Sequence, residues 1–233
     1  MFRKFDYLII LAEMRTGSNL LESKLNIFAD LHSVGEAFNP NFIGSPKTQE
    51  IMGVSLLNRT QNPAVLLDKI KQPSVILHGF RYFHDHDPRV LLPCLLDLRC
   101  VKVILTRNSV ESYISWKIAC QTGQWKLQNI TRRKDAPKVH FDAKEFLEYF
   151  TRIQNFRLYL DARLQTTGQS AFHLSYEDLQ NQDVINGTAK YLGSIGEVKT
   201  VKAKLLPQNS NSLSDKVANF PYRSARKFQR YLL

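Results

Sequence analysis

The chain has 233 residues, 43% of them hydrophobic, and this length and composition predict a single domain over residues 1–233. Thirty-two Lys and Arg against 21 Asp and Glu give a net charge of +11, which indicates an anionic partner. Basic residues cluster only at 132–134 and 223–230, so the dense basic stripe typical of nucleic-acid binding is missing and no nucleic-acid partner is predicted.

The sequence contains no apolar run near the roughly 20 residues that a membrane span requires, nor the core of a signal peptide. We therefore expect a cytoplasmic protein without a membrane span, although a Golgi enzyme lacking its anchor has the same composition. The sequence does not indicate an oligomeric state.

Apolar patterns predict alternating strands and helices. Tyr7–Ala12 is continuously apolar, as in a strand buried on both faces, and Leu21, Leu25 and Phe28 follow at helical spacing. The same reasoning predicts helices over 63–70, from 110 onward and over 142–164, and strands over 74–82, 101–106 and 171–175. The alternation predicts an α/β fold, a P-loop-like three-layer sandwich with a mostly parallel central sheet flanked by helices.

The loop after the first strand has the composition of an anion-binding loop. Gly17 allows close backbone approach, Arg15 adds a positive charge, and Thr16, Ser18 and Asn19 supply side-chain donors. The start of the following helix adds free N–H groups and the positive end of its dipole. The alternative is a polar turn that only caps the helix. A Walker A loop is excluded, because its second glycine and its lysine are missing.

A second polar motif follows the strand that ends at Thr106. Arg107 stands at the carboxyl end of this strand, and Ser115 lies two turns into the next helix. A guanidinium and a hydroxyl in these positions can hold one phosphate from two sides, although Ser115 alone is typical of a helix surface. Because ligands of parallel sheets bind beyond the carboxyl ends of strands, we expect the two motifs to form one site.

Strand–RTGSNLL–helix together with strand–TRNSVESYIS resembles the two cofactor signatures of the sulfotransferases that use 3'-phosphoadenosine 5'-phosphosulfate (PAPS). The first motif is most similar to bacterial carbohydrate sulfotransferases of the trehalose and nodulation-factor type. The resemblance implies that the first loop binds the 5'-phosphosulfate, that Arg107 and Ser115 bind the 3'-phosphate, and that Tyr176 lies near the adenine. Asn19 and Ser109 depart from the family pattern, which has Thr or Ser and Pro there.

The resemblance implies a nucleotide sulfate donor, no metal, and a hydroxyl acceptor that is a carbohydrate or glycolipid. Two other functions stay open from the residues alone. One is a nucleotide kinase-like phosphotransferase, and the other is a non-enzymatic protein that binds polyanions through its positive charge.

Sulfuryl transfer needs a base for the acceptor hydroxyl and cations for the developing charge. Glu36 is the candidate base, since it resembles a Gly-Glu element of the carbohydrate enzymes, and burial is expected to raise its pKa. A structural carboxylate paired with Arg or Lys is the alternative role. His32 is the alternative base.

The remaining candidate site residues are two arginines and a pair of histidines. Arg15 in the loop is predicted to stabilise the developing charge. Arg81 is predicted to stabilise the sulfuryl oxygens or to hold the acceptor, with a surface arginine as the alternative. His84 and His86 alternate with aspartates in an extended segment, which predicts a solvated loop and not a metal site.

Overall fold

A computed structural model describes residues 4–125, 138–198 and 215–219. The strands are β1 Tyr7–Leu11, β2 Leu31–Ser33, β3 Glu50–Ile51, β4 Val54–Ser55, β5 Leu77–Tyr82, β6 Cys100–Thr106 and β7 Phe172–Ser175. The helices are α1 Ser18–Leu25, α2 Leu56–Gln61, α3 Pro63–Ile70, α4 Pro88–Leu96, α5 Ser109–Thr122, α6 Ala143–Thr166 and α7 Gln182–Tyr191, with a 3-10 turn at Glu177–Gln180. The basic clusters at 132–134 and 223–230 lie outside the described residues.

Five strands form one sheet in the order β2-β5-β1-β6-β7, and every neighbouring pair is parallel. β1 is the central strand, and all five of its residues are buried, as its unbroken apolar run predicts. The register places Leu11 beside Tyr82 of β5 and Ile104 of β6. The segments that leave β1, β5 and β6 therefore emerge side by side at one edge of the sheet.

Alternate residues of β1 face two different layers of helices. Tyr7, Ile9 and Leu11 pack in one core with side chains of α3, α4 and α6. Leu8 and Ile10 pack in a second core with α1 and α7. The predicted α/β three-layer sandwich with a parallel central sheet is thus confirmed.

Side-chain caps fix where several helices begin. The Asn62 carboxamide accepts a hydrogen bond from the backbone N–H of Ala64, and Pro63 occupies the first turn of α3. Asn108 and Asp142 cap α5 and α6 in the same way. The caps place the start of α5 directly after β6, which brings Arg107 into the bend between them. Among the described residues, no helix is long and apolar enough to cross a membrane.

Candidate functional site

The loop between β1 and α1 is held by two residues with left-handed backbone. Arg15 has φ 69° and Gly17 has φ 94°. The Thr16 hydroxyl donates to the Glu13 carbonyl at 2.7 Å, which closes the turn. α1 starts at Gly17 without a side-chain cap, so the first N–H groups of the helix point into this loop. The loop therefore leaves the first N–H groups of α1 without a side-chain cap, while Thr16 uses its hydroxyl proton within the turn.

Arg15 connects the two predicted motifs. Its Nε donates to Ser115 Oγ at 2.9 Å, and its NH1 donates to the Trp125 carbonyl at 2.8 Å. Ser115 is 6% exposed, so it is not the surface serine that its sequence context alone suggests. The pKa of Arg15 falls to about 10, because burial and the nearby positive charge of Arg107 both disfavour its protonated form.

Arg107 lies on the other side of the same loop. Its NH1 donates to the Arg15 carbonyl at 3.1 Å, and its Nε and NH2 donate to Glu111 Oε2 at 3.3 and 3.0 Å. Its guanidinium stacks on the Tyr176 ring at 4.0 Å from the ring centre. Both predicted motifs and Tyr176 thus meet at one place.

Gly17 packs directly against Tyr176. A Cβ at position 17 would lie 2.6 Å from Tyr176 Cδ2 and 3.0 Å from Leu179 Cδ1. This contact and the positive φ both require glycine. The loop, the end of β7 and the 3-10 turn are therefore fixed relative to one another.

Arg81 is a buried part of the site, and the surface alternative is wrong. It is 1% exposed, and its NH1 donates to Ser18 Oγ at 3.3 Å. Its Nε lies 3.1 Å from Glu22 Oε2, and its NH1 lies 3.1 Å from Glu36 Oε1. One guanidinium on β5 therefore joins the start of α1 to two carboxylates.

The expected rise in the pKa of Glu36 is wrong. Burial alone would raise this pKa, but the nearby imidazole of His86 and the charge of Arg81 outweigh it, and the pKa lies below its usual 4.5. His86 Nε2 is 3.6 Å from Glu36 Oε2, and the Asn39 amide donates to the same oxygen at 2.9 Å. The pairing with Arg81 that was the alternative role of Glu36 is present.

The histidines after β5 do not form a solvated loop. His84 Nδ1 lies 2.7 Å from Glu13 Oε2, and His86 is 2% exposed. Burial lowers the pKa of His84, but the hydrogen bond and charge of Glu13 outweigh this effect, so the pKa lies above 6.5. The Glu13–His84 pair could have been predicted from the sequence, because Glu13 follows the strand β1 and His84 follows the adjacent parallel strand β5.

His32 lies on β2, and its role as the alternative base stays a prediction. It is exposed and pairs in register with His78, four residues before the end of β5. At about 3.3 Å per residue, it is roughly 13 Å from the carboxyl edge of the sheet.

Asn19 follows Ser18 in the first turn of α1, and its side-chain amide oxygen Oδ1 is buried without a hydrogen-bond partner among the described residues. In the same part of the chain, no group of three or more His, Cys, Asp or Glu is arranged to hold a metal ion.

No protein-family model and no curated protein matches the chain. Among solved structures, it is similar to a sulfotransferase from Alicyclobacillus acidocaldarius, with a TM-score of 0.47 and 13% identity. The similarity covers 80% of each chain.

Proposed function

We propose that this protein transfers a sulfuryl group from PAPS to a hydroxyl of an acceptor. The observation that carries the proposal is the junction of Arg15, Arg107 and Ser115 beside the uncapped start of α1. Two guanidiniums and a helix N-terminus in one place favour a ligand with several negative charges. The net charge of +11 supports an anionic ligand as well.

In this proposal the loop of residues 15–19 binds the 5'-phosphosulfate. Arg107 and Ser115 bind the 3'-phosphate, because both reach the same loop from α5 and the bend before it. Tyr176 lies beside the adenine, since its ring already covers the Arg107 guanidinium on one face. These residues fit an anionic nucleotide without a lysine of the Walker A type.

The reaction forms a bond between sulfur and the acceptor oxygen and breaks the bond between sulfur and the phosphate oxygen. The hydroxyl proton moves to a base, and the leaving phosphate takes the negative charge. We assign the base to Glu36, with Arg15 and Arg81 stabilising the transferred oxygens. Arg81 suits this role because Glu22 and Glu36 hold its guanidinium in one orientation. His84, paired with Glu13, is the second candidate base.

Binding of the nucleotide product tests the proposal without knowledge of the acceptor. A ligand that binds only the folded state raises the thermal unfolding temperature. We expect 3'-phosphoadenosine 5'-phosphate (PAP) to raise this temperature strongly and adenosine 5'-phosphate to raise it little. Arg107→Ala and Ser115→Ala should remove most of the difference between the two nucleotides.

Arg99→Ala is the matched control, because Arg99 precedes β6 where Arg107 follows it, and Arg99 pairs with Asp6 away from the site. This variant should keep the preference for PAP. An equal response to both nucleotides would reject a site for the 3'-phosphate and favour a kinase-like phosphotransferase. Salt-dependent binding of polyanions without any nucleotide response would favour a binding protein.

A further inference from the structure

The backbone of Glu36 is held in place by the loop after β2. Its N–H donates to the Gly44 carbonyl at 3.0 Å, and its own carbonyl accepts from the Gly44 N–H at 3.1 Å. The Gly35 carbonyl accepts from the N–H of Arg81 on β5 at 2.9 Å. A Cβ at position 35 would lie 2.3 Å from the Gly44 carbonyl oxygen, so the two arms of the loop are in direct contact. The Cα of Glu36 is therefore fixed beside β5, and the orientation of its carboxylate depends on side chains.

Three side chains divide the two oxygens of the Glu36 carboxylate between them. Arg81 NH1 lies 3.1 Å from Oε1. Asn39 Nδ2 donates to Oε2 at 2.9 Å, and His86 Nε2 lies 3.6 Å from the same oxygen. Glu22 of α1 acts through Arg81, since it lies 3.1 Å from the Nε of that guanidinium. Oε2 thus faces two side-chain nitrogens, whereas Oε1 faces one.

The imidazole of His86 is buried with its hydrogen-bonding capacity unused. Its side chain is 0% exposed, and its ring centre lies 5.4 Å from that of Tyr82 and 4.8 Å from that of Phe83. Neither ring nitrogen has a hydrogen-bond partner within the described residues. The distance of 3.6 Å to Glu36 exceeds an ordinary hydrogen bond, but such bonds are often long in a free site and shorten in the complex. A buried polar group without a partner is costly, so closure of this gap is favoured.

We propose that His86 is a positioning residue for the proposed sulfuryl transfer: its Nε2–H donates to Glu36 Oε2 in the nucleotide-bound protein and leaves Oε1 for the acceptor hydroxyl. This inference rests on the proposed function. Each carboxylate oxygen has two lone pairs, so Asn39 and His86 together occupy Oε2, while Arg81 leaves one lone pair of Oε1 free. Nε2 carries a proton in this arrangement whether or not Nδ1 is protonated, so the role does not depend on the charge of His86.

The proton of the acceptor hydroxyl moves to Glu36 Oε1 while the acceptor oxygen bonds to sulfur. The bond from sulfur to the phosphate oxygen of PAPS breaks, and its electron pair leaves with the phosphate. Oε1 is the oxygen beside Arg81, so the base and the cation assigned to the transferred oxygens act from the same side of the carboxylate. His86 makes no bond to the transferred group and acts through Glu36.

Titration of the Glu36 carboxyl group tests this role without an acceptor. Protein with carbon-13-labelled glutamate is saturated with PAP, and the Glu36 signal is identified as the one missing in Glu36→Gln. His86→Phe keeps an aromatic ring against Tyr82 and Phe83 but removes the donor. A donor to the charged carboxylate lowers its pKa, so this variant should raise the proton affinity of Glu36 about tenfold, a shift of its midpoint by about one pH unit. His86→Gln places an amide N–H near the position of Nε2 and should restore most of the wild-type value.

Tyr82→Phe is the matched control for packing of the same loop. The Tyr82 hydroxyl donates to the backbone carbonyls of His86 and Asp87 at 3.3 and 3.1 Å, and the substitution keeps the ring. This control should leave the midpoint of Glu36 unchanged. A purely structural role of His86 would shift the midpoint equally in His86→Phe, His86→Gln and Tyr82→Phe, and that result would overturn the inference.

An unchanged midpoint in His86→Phe would also overturn the inference, even if PAP binds to the wild type. Absence of PAP binding in the wild type would instead reject the proposed function, and with it the reaction that His86 serves. The titration and the binding measurement therefore fail separately.

Discussion

The Nε of Arg15 donates to Ser115 Oγ at 2.9 Å, across 100 residues of sequence. One residue belongs to the loop after β1, and the other belongs to the helix after β6. The bond is possible because β1 and β6 are adjacent and parallel, so that the segments after both strands share one edge. It makes the position of each motif depend on the other.

Two substitutions of Arg15 separate the contribution of its guanidinium to binding from the free energy that its left-handed backbone conformation costs the folded protein. Arg15→Ala and Arg15→Gly both remove the guanidinium, and both should weaken PAP binding about tenfold or more. Arg15 has φ 69°, which glycine adopts without the penalty that alanine pays. We expect Arg15→Gly to be more stable than Arg15→Ala by about 1 kcal/mol in urea unfolding. Equal stabilities would contradict the strained conformation.

Glu111 competes with the ligand for Arg107. Its carboxylate accepts from two nitrogens of that guanidinium, so an incoming phosphate would meet a negative charge beside its binding group. Glu111→Gln should tighten PAP binding about fivefold, which corresponds to ~1 kcal/mol. Isothermal titration would measure this change, with Glu177→Gln as an exposed control of equal charge change. Weaker binding in Glu111→Gln would show that Glu111 orients Arg107.

The layered fold could be predicted because each central element carries a complete local signal. Tyr7–Leu11 is apolar without a break, which only a strand covered on both faces explains. The caps at Asn62, Asn108 and Asp142 are local as well. The short hairpin β3–β4 was missed, since two residues per strand are too few for an alternating pattern.

The sequence predicts those parts of the site that depend only on the parallel direction of the strands. The meeting of Arg15, Arg107 and Ser115 follows from strands that run parallel. The environment of Arg81 does not follow, because its pairing with Glu22 depends on which side of α1 faces β5. The lowered pKa of Glu36 was missed for the same reason, since Arg81 and His86 lie 45 and 50 residues further along the chain.

The contact between Gly17 and Tyr176 predicts a large effect of one methyl group. Gly17→Ala introduces a Cβ 2.6 Å from Tyr176 Cδ2 at φ 94°. Gly168→Ala is the control, because φ there is 63° and nothing lies within 4 Å. We expect Gly168→Ala to lose about 1 kcal/mol of unfolding free energy and Gly17→Ala about 2–4. Adding Tyr176→Ala should recover part of the loss in Gly17→Ala, and additive effects would contradict a direct clash.

The pH dependence of kcat/KM distinguishes the two candidate bases. A base acts in its deprotonated form, so the rate rises with pH through the pKa of that base. The pKa of Glu36 lies below 4.5, so with Glu36 as the base the rate should not change between about pH 5.5 and 8. The pKa of His84 lies above 6.5, so with His84 as the base the rate should still be rising in that interval.

With an acceptor that the protein sulfates, we expect the flat profile assigned to Glu36. Glu36→Gln should lower kcat by about 100-fold or more, because the proton then has no acceptor at that position. His84→Gln should leave the shape of the pH profile of kcat/KM below pH 7 unchanged. A rising limb above pH 6.5 in the wild type that is lost in His84→Gln would transfer the role of base to the Glu13–His84 pair, and Glu36 would then serve only to fix Arg81.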